Sequence, residues 1–457
     1  MSDIIAAAAT PAAKSALAVV RVSGAGCIEM CDRLFFPAGK KSASSCEHSK
    51  SVYGTLRRED GSAIDTCLAV FCRAPKSYTG EDTAEFSCHG SPAAVSSLLS
   101  SLFRLGARQA QPGEFTKRAF LNGKLDLTAA EAIVDLVDAE TEAAVKNAAA
   151  QLTGAMSARL KEIYILLIQL PSHFSALVDF PEDDVEPQEI SDILAVIDRA
   201  KAGLRALSAS AERGRIIRDG IRAAIIGRPN AGKSSLLNAL LGWDRAIVSP
   251  LAGTTRDTIE EKLILGGVLL RLSDTAGLRE TSDETELEGV SRAISAARDA
   301  ELVLCVFDGS AVPGPEDEAA AEAALAAPYQ IAIVNKSDLP AACHTPPHAE
   351  RMKKLVRVCA LTGDGLSELD AAVAELFTDP LPAAGLTAAI TNARQAAAVN
   401  AALAALERAS DALLSGVTPD AVLLDIEEAL ICTGQVTGDT LRGDVVENIF
   451  SRFCVGK

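Results

Sequence analysis

The stretch Gly227-Arg-Pro-Asn-Ala-Gly-Lys-Ser234 lies between an apolar segment at residues 222–227 and a segment with helical periodicity. A strand, a glycine-rich turn and a helix in this order form a P-loop, in which backbone N–H groups surround phosphates and the helix N-terminus adds positive potential. Lys233 is then expected to bridge the β- and γ-phosphates, and Ser234 to ligate Mg²⁺. The predicted nucleotide contacts of this stretch are Asn230, Ala231, Gly232, Lys233, Ser234 and Ser235.

Two motifs farther along the chain predict that the nucleotide is GTP. Asp274-Thr-Ala-Gly277 ends a predicted strand, where a carboxylate can hold Mg²⁺ through water and a glycine N–H can meet the γ-phosphate. In Asn335-Lys-Ser-Asp338, the last carboxylate can accept hydrogen bonds from the guanine N1–H and 2-amino groups, which adenine cannot offer. Cys359-Ala-Leu361 takes the place of the last guanine-contacting loop. The predicted contacts are Asp274, Thr275, Ala276, Gly277, Asn335, Lys336 and Asp338, in a G domain from about Arg222 to about Asp379 that binds and hydrolyses GTP.

The residue that follows the first of these motifs cannot assist hydrolysis directly. Ras-like proteins place a glutamine there to orient the attacking water, whereas this chain has Leu278. Help must come from a bound cation, another side chain or a second G domain. The amide oxygen of Asn230 could ligate a monovalent cation, although an asparagine here could also simply stabilise the turn. The switch loop Ser249-Pro-Leu-Ala-Gly-Thr-Thr-Arg-Asp257 adds backbone carbonyls for K⁺, and Thr255 is expected to reach Mg²⁺.

Composition limits the class of protein. The chain has 457 residues and a formal net charge of −17, with 44 Lys and Arg against 61 Asp and Glu. Its overall field does not attract polyanions, so a general RNA-coating protein is disfavoured and nucleic acid would have to meet a local basic patch. Eleven scattered cysteines predict reduced thiols in a cytoplasmic protein. The sequence shows no basic signal-peptide region and no apolar run of membrane-spanning length, so we expect no membrane association.

The order of patterns predicts three domains. Residues 1–121 have the alternating strands of an α+β domain, and residues 220–379 form an α/β unit. Helical segments flank that unit, at residues 122–219 and 380–457. The predicted fold is therefore multidomain α+β and α/β, in which a P-loop G domain is inserted into a helical domain that is split in sequence. Before the insertion, helices are predicted at residues 129–152, 155–174 and 189–213.

Several motifs resemble those of the MnmE (TrmE) family of tRNA-modification GTPases. Within the G domain they are Asn230, Gly253-Thr-Thr-Arg-Asp257 and Asp274-Thr-Ala-Gly-Leu-Arg-Glu280. Outside it, Tyr78-Thr-Gly-Glu-Asp82 and the tail Phe453-Cys-Val-Gly-Lys457 also match, and the resemblance covers the whole chain. It implies an N-terminal tetrahydrofolate-binding domain that dimerises, a helical domain, and a Ras-like G domain inserted into the helical domain.

The resemblance also implies how GTP is hydrolysed. It predicts K⁺-stimulated turnover through transient dimerisation of G domains, with K⁺ held by Asn230, Ser249, Leu251 and Thr254 and Mg²⁺ by Ser234 and Thr255. Glu286 matches the family's carboxylate that positions the hydrolytic water, although its acidic surroundings are also typical of a solvated face. The expected catalytic residues are Glu286, Asn230, Lys233 and Cys454.

For the one-carbon chemistry, the resemblance implies a 5-formyl or methylene derivative of tetrahydrofolate bound by Arg21, Glu85, Lys124 and Lys457. Glu85 can accept from the pterin N–H groups, and the basic residues can pair with the ligand's carboxylates. The resemblance places Cys454 near the one-carbon unit. The implied partners are a second copy of the chain, tRNA and the FAD-containing MnmG, which together install an aminomethyl or carboxymethylaminomethyl group at C5 of the wobble uridine.

Two other functions remain open from the sequence alone. One is a ribosome-assembly GTPase of the Era type, although neither flank of the G domain is basic overall. The other is a folate-binding scaffold whose G domain only switches. The chain also departs from the family pattern at residues 12–14, at Ser91 and at Cys359, where serine is common.

Overall fold

The structure is a computed structural model that describes residues 3–179, 189–242, 261–272, 295–377, 388–440, 443–451 and 453–456. The chain forms two compact units. One contains Met1–Val134, Leu152–Lys161 and Leu430–Lys457, and the other contains Asp135–Gln151 and Glu162–Ala429. The domain boundaries predicted after residues 121, 219 and 379 remain predictions.

The first unit is built on a seven-stranded sheet. Its strands are β1 (Ile5–Ala8), β2 (Ser15–Ser23), β3 (Phe35–Pro37), β4 (Ser51–Arg57), β5 (Ala63–Cys72), β6 (Thr83–Gly90) and β7 (Arg108–Gln109). The spatial order is β3-β4-β5-β6-β2-β1-β7, and neighbouring strands are antiparallel apart from β1 and β7, which run parallel. This agrees with the predicted α+β domain.

Alternation along the strands gives this sheet one buried face. In β2, Ala18, Val20 and Val22 are buried, whereas the residues between them are more exposed. The helices α1 (Cys27–Cys31), α2 (Pro92–Arg104) and α3 (Glu114–Leu121) complete this part of the unit, and α2 packs against β1, β2, β5 and β6. A triad of phenylalanines, with ring centroids 5.7–6.2 Å apart, fills the core: Phe35, Phe71 and Phe86.

The tail at residues 453–456 packs against the same unit. Val455 forms an antiparallel bridge with Pro112, and the Gly113 N–H donates to the Cys454 carbonyl over 3.2 Å. Gly456 has a φ of 96°, and a Cβ atom there would overlap the Ala8 carbonyl oxygen, so glycine alone fits without strain. The tail therefore lies beside the end of β1.

Helices make up most of the sequence between the two sheets. They are α4 (Leu127–Asp138), α5 (Glu142–Leu152), α6 (Ala155–Leu167), α7 (Gln169–Asp179), α8 (Ile190–Ala209) and α9 (Ala211–Asp219). Each of the three predicted helices is divided into two in the structure. The prediction of three continuous helices was therefore wrong. Thr141 caps α5, because its hydroxyl accepts from the Ala144 N–H. Pro171 cannot continue α6 because its ring would clash with the carbonyl of Leu167. The Ser210 hydroxyl donates to Leu207 where α8 ends.

The second unit contains a six-stranded sheet formed by β8 (Ile221–Ile226), β9 (Glu261–Leu265), β10 (Val268–Leu272), β11 (Leu302–Asp308), β12 (Tyr329–Asn335) and β13 (Lys354–Arg357). The order is β13-β12-β11-β8-β10-β9, with β9 antiparallel to β10 and the other pairs parallel. The apolar residues of α10 (Lys233–Gly242) and α12 (Leu366–Phe377) pack on one face, and those of α11 (Pro315–Ala324) on the other. This is the predicted α/β unit, although the last strand ends at Arg357 rather than Leu361.

The turn between β9 and β10 is the predicted hairpin. Gly266 and Gly267 have φ angles of 61° and 75°, which a two-residue hairpin of this hand requires. The Gly266 N–H donates to Asp370 of α12, over 2.6 Å, and so fixes the hairpin against the helix.

The chain enters and leaves the α/β unit at neighbouring points. Helix α9 leads into β8, and a Cβ atom on Gly214 of α9 would overlap the carbonyl of Ile390, which follows the unit. After it come α13 (Ala393–Leu414), α14 (Pro419–Thr437) and α15 (Gly443–Phe450). Within the second unit α13 packs on α8, where the Lys201 ammonium donates to the buried Ser410 hydroxyl over 2.8 Å. This arrangement agrees with the predicted insertion into a split helical domain.

Candidate GTP site

The P-loop lies where β8 ends and α10 begins, and its backbone depends on residues with unusual φ angles. Gly227 (φ 151°) approaches β11 so closely that a Cβ atom would overlap the Val306 carbonyl oxygen. Gly232 (φ 94°) leaves no room for a Cβ atom beside the Asn335 amide. Asn230 has a φ of 60°, which asparagine tolerates better than most residues. The glycines of the predicted motif are therefore required by the geometry of the loop.

Lys233 begins α10 and folds back over the loop. Its Nζ donates to the carbonyl oxygens of Gly227 and Arg228, each over 2.9 Å. Burial lowers the pKa of this ammonium, and the charge of Glu316 only partly opposes that effect. A desolvated cation that is bound to neutral oxygens gains free energy when a phosphate replaces them, so this arrangement fits a nucleotide.

Asn335, at the end of β12, joins the phosphate loop to the base-binding loops. Its side chain is buried, its Nδ2 donates to the Ala231 carbonyl over 3.0 Å, and its Oδ1 accepts from the Ala360 N–H over 3.0 Å. One amide therefore ties together three segments that are far apart in sequence. Asn335 is a predicted nucleotide contact, and in the structure its side chain makes these two loop contacts.

The remaining base-binding residues lie beside Asn335. Asp338 is exposed, and the buried Cys359 thiol donates to its Oδ1 over 3.1 Å. Lys336 has a φ of 63°, and its Nζ donates to Asp308 over 2.7 Å. Asp338 is therefore accessible to a ligand, and its contact with the guanine N1–H and 2-amino groups stays a prediction.

Several predicted residues lie outside the part of the chain that the structure describes. For the switch loops these are Ser249, Leu251, Thr254, Thr255, Asp274, Thr275, Ala276, Gly277, Leu278 and Glu286, and at the C-terminus Lys457. Among the described residues, Ser234 is the predicted ligand of Mg²⁺ and Asn230 that of K⁺. Both are at the P-loop, next to the half-buried Lys233, and their oxygens are the donors that these hard cations prefer.

Three of the predicted folate residues, Arg21, Glu85 and Lys124, lie in the described part of the first unit. Arg21 and Glu85 are opposite each other in β2 and β6, and Arg21 Nε donates to Glu85 over 2.6 Å. The guanidinium also lies 5.0 Å from the ring centroid of Tyr78 and 5.6 Å from that of Phe115. Lys124 Nζ donates to the Pro75 carbonyl over 3.1 Å.

Cys454 is exposed, and its backbone carbonyl accepts a hydrogen bond from the Gly113 N–H. The next residues run beside Ala8, whose neighbour Ala7 pairs in register with Arg21. The tail therefore lies beside β1, and β1 is the neighbour of the strand that carries Arg21.

Comparison with known proteins identifies the family. The family model "MnmE helical domain" matches residues 127–454, and the model "GTP-binding protein TrmE N-terminus" matches residues 4–124. A relative from Roseiflexus sp. (strain RS-1), named tRNA modification GTPase MnmE, is 44% identical over 469 aligned residues, covering 100% of this chain and 99% of its own. A relative of the same name from Akkermansia muciniphila is 43% identical and covers 99% and 98%. The chain belongs to the MnmE family.

Solved structures add little to this assignment. The Era protein of Aquifex aeolicus bound to GDP.AlF4- is 25% identical over 40% of this chain and 66% of its own, with a TM-score of 0.25. In the described residues, no helix is long and apolar enough to cross a membrane.

Some residues at the two candidate sites of this MnmE-family chain have no role that the sequence alone predicts. Tyr78 and Phe115 have no predicted role, because nothing local in the sequence shows that their rings lie beside Arg21. Asp308, which binds Lys336, was missed as well. Its signal was a carboxylate at the end of an apolar strand in a P-loop domain, a position that commonly carries ligand-binding residues.

Proposed function

We propose that this chain is a GTP hydrolase that takes part in tRNA modification, and that its turnover is stimulated by K⁺. The observation that carries the proposal is the preformed nucleotide site. Asn335 joins the phosphate loop at Ala231 to the loop at Ala360. The half-buried Lys233 and the proposed guanine contact Asp338 belong to the same site. Membership of the MnmE family supports the assignment to tRNA modification.

The chain's own residues bind and orient the nucleotide. Lys233 exchanges its two carbonyl partners for phosphate oxygens, and the N–H groups of the loop and of α10 surround the same phosphates. Asp338 selects guanine, and Asn335 keeps the base loop at a fixed distance from the P-loop. Mg²⁺, with Ser234 and the proposed ligand Thr255, would neutralise charge on the β- and γ-phosphates. Glu286 remains the residue proposed to position the attacking water.

A second proposal concerns the one-carbon donor, a tetrahydrofolate derivative bound by Arg21, Glu85, Lys124 and Lys457. The support is chemical. The Glu85 carboxylate is about two-fifths exposed and can accept pterin N–H groups, while the rings of Tyr78 and Phe115 keep the Arg21 guanidinium in place. The exposed Cys454 is proposed to act near the one-carbon unit.

Replacing Glu85 by alanine is expected to weaken binding of 5-formyltetrahydrofolate by about a hundredfold. The variant loses two hydrogen bonds to a charged acceptor, each worth roughly 1.5–3 kcal/mol. Isothermal titration calorimetry on the full chain measures the change. The matched control is Glu59→Ala, which breaks an exposed ion pair with Arg33 in the same unit and should bind normally. If the Glu85 variant also bound normally, the site would be misassigned.

A homodimer is the third proposal, formed through the open face of the seven-stranded sheet. Three large apolar side chains on this face are strongly exposed: Leu17 (62%), Tyr53 (55%) and Leu68 (49%). Tyr53 and Leu68 are paired in register, and the face continues to Arg21 and Glu85. A second copy of the chain would cover this surface and keep it from water. The resemblance to dimeric family members also supports a second copy of this chain as the partner at this surface.

The double substitution Tyr53→Asp and Leu68→Asp is expected to produce monomers. It places two charges in the centre of the proposed interface, where they would be desolvated without partners. Sedimentation velocity across a range of concentrations should show the dimer constant weakened by at least about a hundredfold. Leu121→Asp is the control, because that exposed leucine lies on α3 and not on the sheet. An unchanged dimer in the double variant would contradict the proposed interface.

The biological role is tested on tRNA. We propose that the chain acts with the FAD-containing MnmG on C5 of the wobble uridine. In cells that lack this protein, wobble uridines should lose the aminomethyl or carboxymethylaminomethyl group, and the wild-type gene should restore it where Lys233→Ala does not. Mass spectrometry of tRNA nucleosides measures both. Normal nucleosides accompanied by defective ribosome assembly would instead favour a function of the Era type.

A further inference from the structure

Asp308 ends strand β11, which lies between β8 and β12 in the sheet. It therefore stands between the strand that leads to the phosphate loop and the strand that leads to the base loop. Its side chain is about one-tenth exposed. One carboxylate oxygen accepts from Lys336 Nζ over 2.7 Å, and the other accepts from the Ser310 N–H over 2.9 Å and from the Ser310 hydroxyl over 2.6 Å. One oxygen of Asp308 thus makes an ionic contact with Lys336, and the other makes hydrogen bonds within the turn at Ser310.

The ionised form of this carboxyl is favoured. Burial raises the pKa of Asp308, but the hydrogen bonds from Lys336 and Ser310 and the charge of Lys336 outweigh burial and leave the pKa below its ordinary value. Asp308 is therefore negatively charged at neutral pH. That charge has to be compensated by the cations around it.

The second cation beside Asp308 belongs to the P-loop. The Arg228 guanidinium lies 3.7 Å from Asp308 and 3.5 Å from Asp317. Asp317 is almost completely buried, and its Oδ1 has no hydrogen-bond partner among the described residues. Arg228 therefore lies between two carboxylates, and the P-loop is held from outside the nucleotide site.

We propose that Asp308 is a positioning residue for the nucleotide, which couples the phosphate loop to the base loop through Arg228 and Lys336. The inference rests on the proposed GTP-binding function. Lys336 adopts a left-handed backbone conformation that is strained for lysine, so its side chain needs an anchor to stay in place. Asp308 supplies that anchor in the absence of nucleotide. The free energy that ordering the loop would cost is therefore not subtracted from the free energy of nucleotide binding.

The direction in which nucleotide affinity changes when Asp308 is neutralised distinguishes a positioning role from a purely electrostatic effect. Asp308 is an anion close to a site for an anionic ligand, so removing its charge would strengthen nucleotide binding if only the overall field mattered. If Asp308 positions Lys336 and Arg228, neutralising it weakens binding instead. The two explanations therefore predict opposite changes in affinity.

Two substitutions distinguish the ionic contact from the turn contact. Asp308→Asn keeps an oxygen that can accept from Ser310 but loses the charge, and Asp308→Ala loses both. A positioning role predicts that both variants raise the Kd for GDP by about tenfold, the effect of losing one hydrogen bond between charged groups. A purely structural role in the turn predicts that only Asp308→Ala is affected.

The experiment uses the full chain and a fluorescent GDP analogue, with GTP turnover measured in parallel. Asp308→Asn should raise the Kd and the KM about tenfold while kcat at saturating GTP stays within about twofold. Glu322→Gln is the charge-matched control, on the exposed side of α11, and should bind normally. In a double-mutant cycle, Asp308→Asn should add little to the loss caused by Lys336→Ala.

Normal binding by Asp308→Asn, tighter binding, or a lower kcat at an unchanged Kd would each overturn the positioning role. None of these results would contradict the proposed GTP-binding function. A failure of the wild-type chain to bind GDP would overturn the proposed function, so the two failures are distinguishable.

Discussion

Replacing Asp338 by asparagine is expected to change the preferred nucleotide from GTP to XTP. The carboxylate only accepts hydrogen bonds, which suits the N1–H and 2-amino groups of guanine. An asparagine amide has one acceptor and one donor group, which match the N1–H and the 2-carbonyl of xanthine. Two hydrogen bonds to a charged group are worth roughly 3–6 kcal/mol, so GTP affinity should fall by about a hundredfold or more.

The measurement is kcat/KM for both nucleotides. XTP should become the better substrate of the variant, and kcat should change little because Asp338 is remote from the phosphate loop. Asparagine can still accept from the Cys359 thiol, so the loop itself should be preserved. Glu350→Gln removes an exposed acid of the same α/β unit and serves as the control. Undiminished preference for GTP in the Asp338 variant would contradict the assignment of the base site.

Exchanging Na⁺ for K⁺ at constant ionic strength is expected to raise kcat for GTP by about tenfold or more. Leu278 cannot orient water, so charge stabilisation must come from elsewhere, and an arginine finger in related enzymes contributes roughly 10³–10⁵ to the rate. Asn230 presents an amide on the left-handed turn of the P-loop, at the proposed phosphate site. A K⁺ ion held there would supply part of that stabilisation.

The substitution Asn230→Gly removes the side-chain amide and preserves the turn, so it tests the amide alone. Glycine accepts a φ of 60° without strain, so the loop should keep its shape and its GDP affinity while it loses the cation ligand. Steady-state turnover of this variant should show nearly equal rates in the two salts. Equal rates for the unmodified protein would refute the proposed role of K⁺.

Features set by neighbouring residues could be predicted from the sequence. The Gly266-Gly267 hairpin, the P-loop and the base motif depend on residue types within a few positions of one another, and the described parts of each agree with prediction. The exact helix boundaries were harder, because apolar periodicity continues through the break at Ser210. There, a hydroxyl that donates to Leu207 and accepts from the distant Ile390 N–H ends the helix.

Features that depend on distant segments escaped prediction. Asp308 meets Lys336 because two parallel strands end side by side, and Arg228 joins them from the loop that follows a third strand. Tyr78 and Phe115 reach Arg21 from separate loops and helices. In each case the individual residues are ordinary, and only the fold brings them together.

The packing of Val455 on Pro112 and of Gly456 on Ala8 has a consequence for biosynthesis. The first sheet leaves the ribosome long before the tail residues that pack against it have been translated. Until then, the Gly113 N–H has no Cys454 carbonyl to pair with. Products of premature termination therefore lack a piece of the N-terminal unit even when their G domain is intact, and nucleotide turnover alone is a poor measure of whether a preparation is full length.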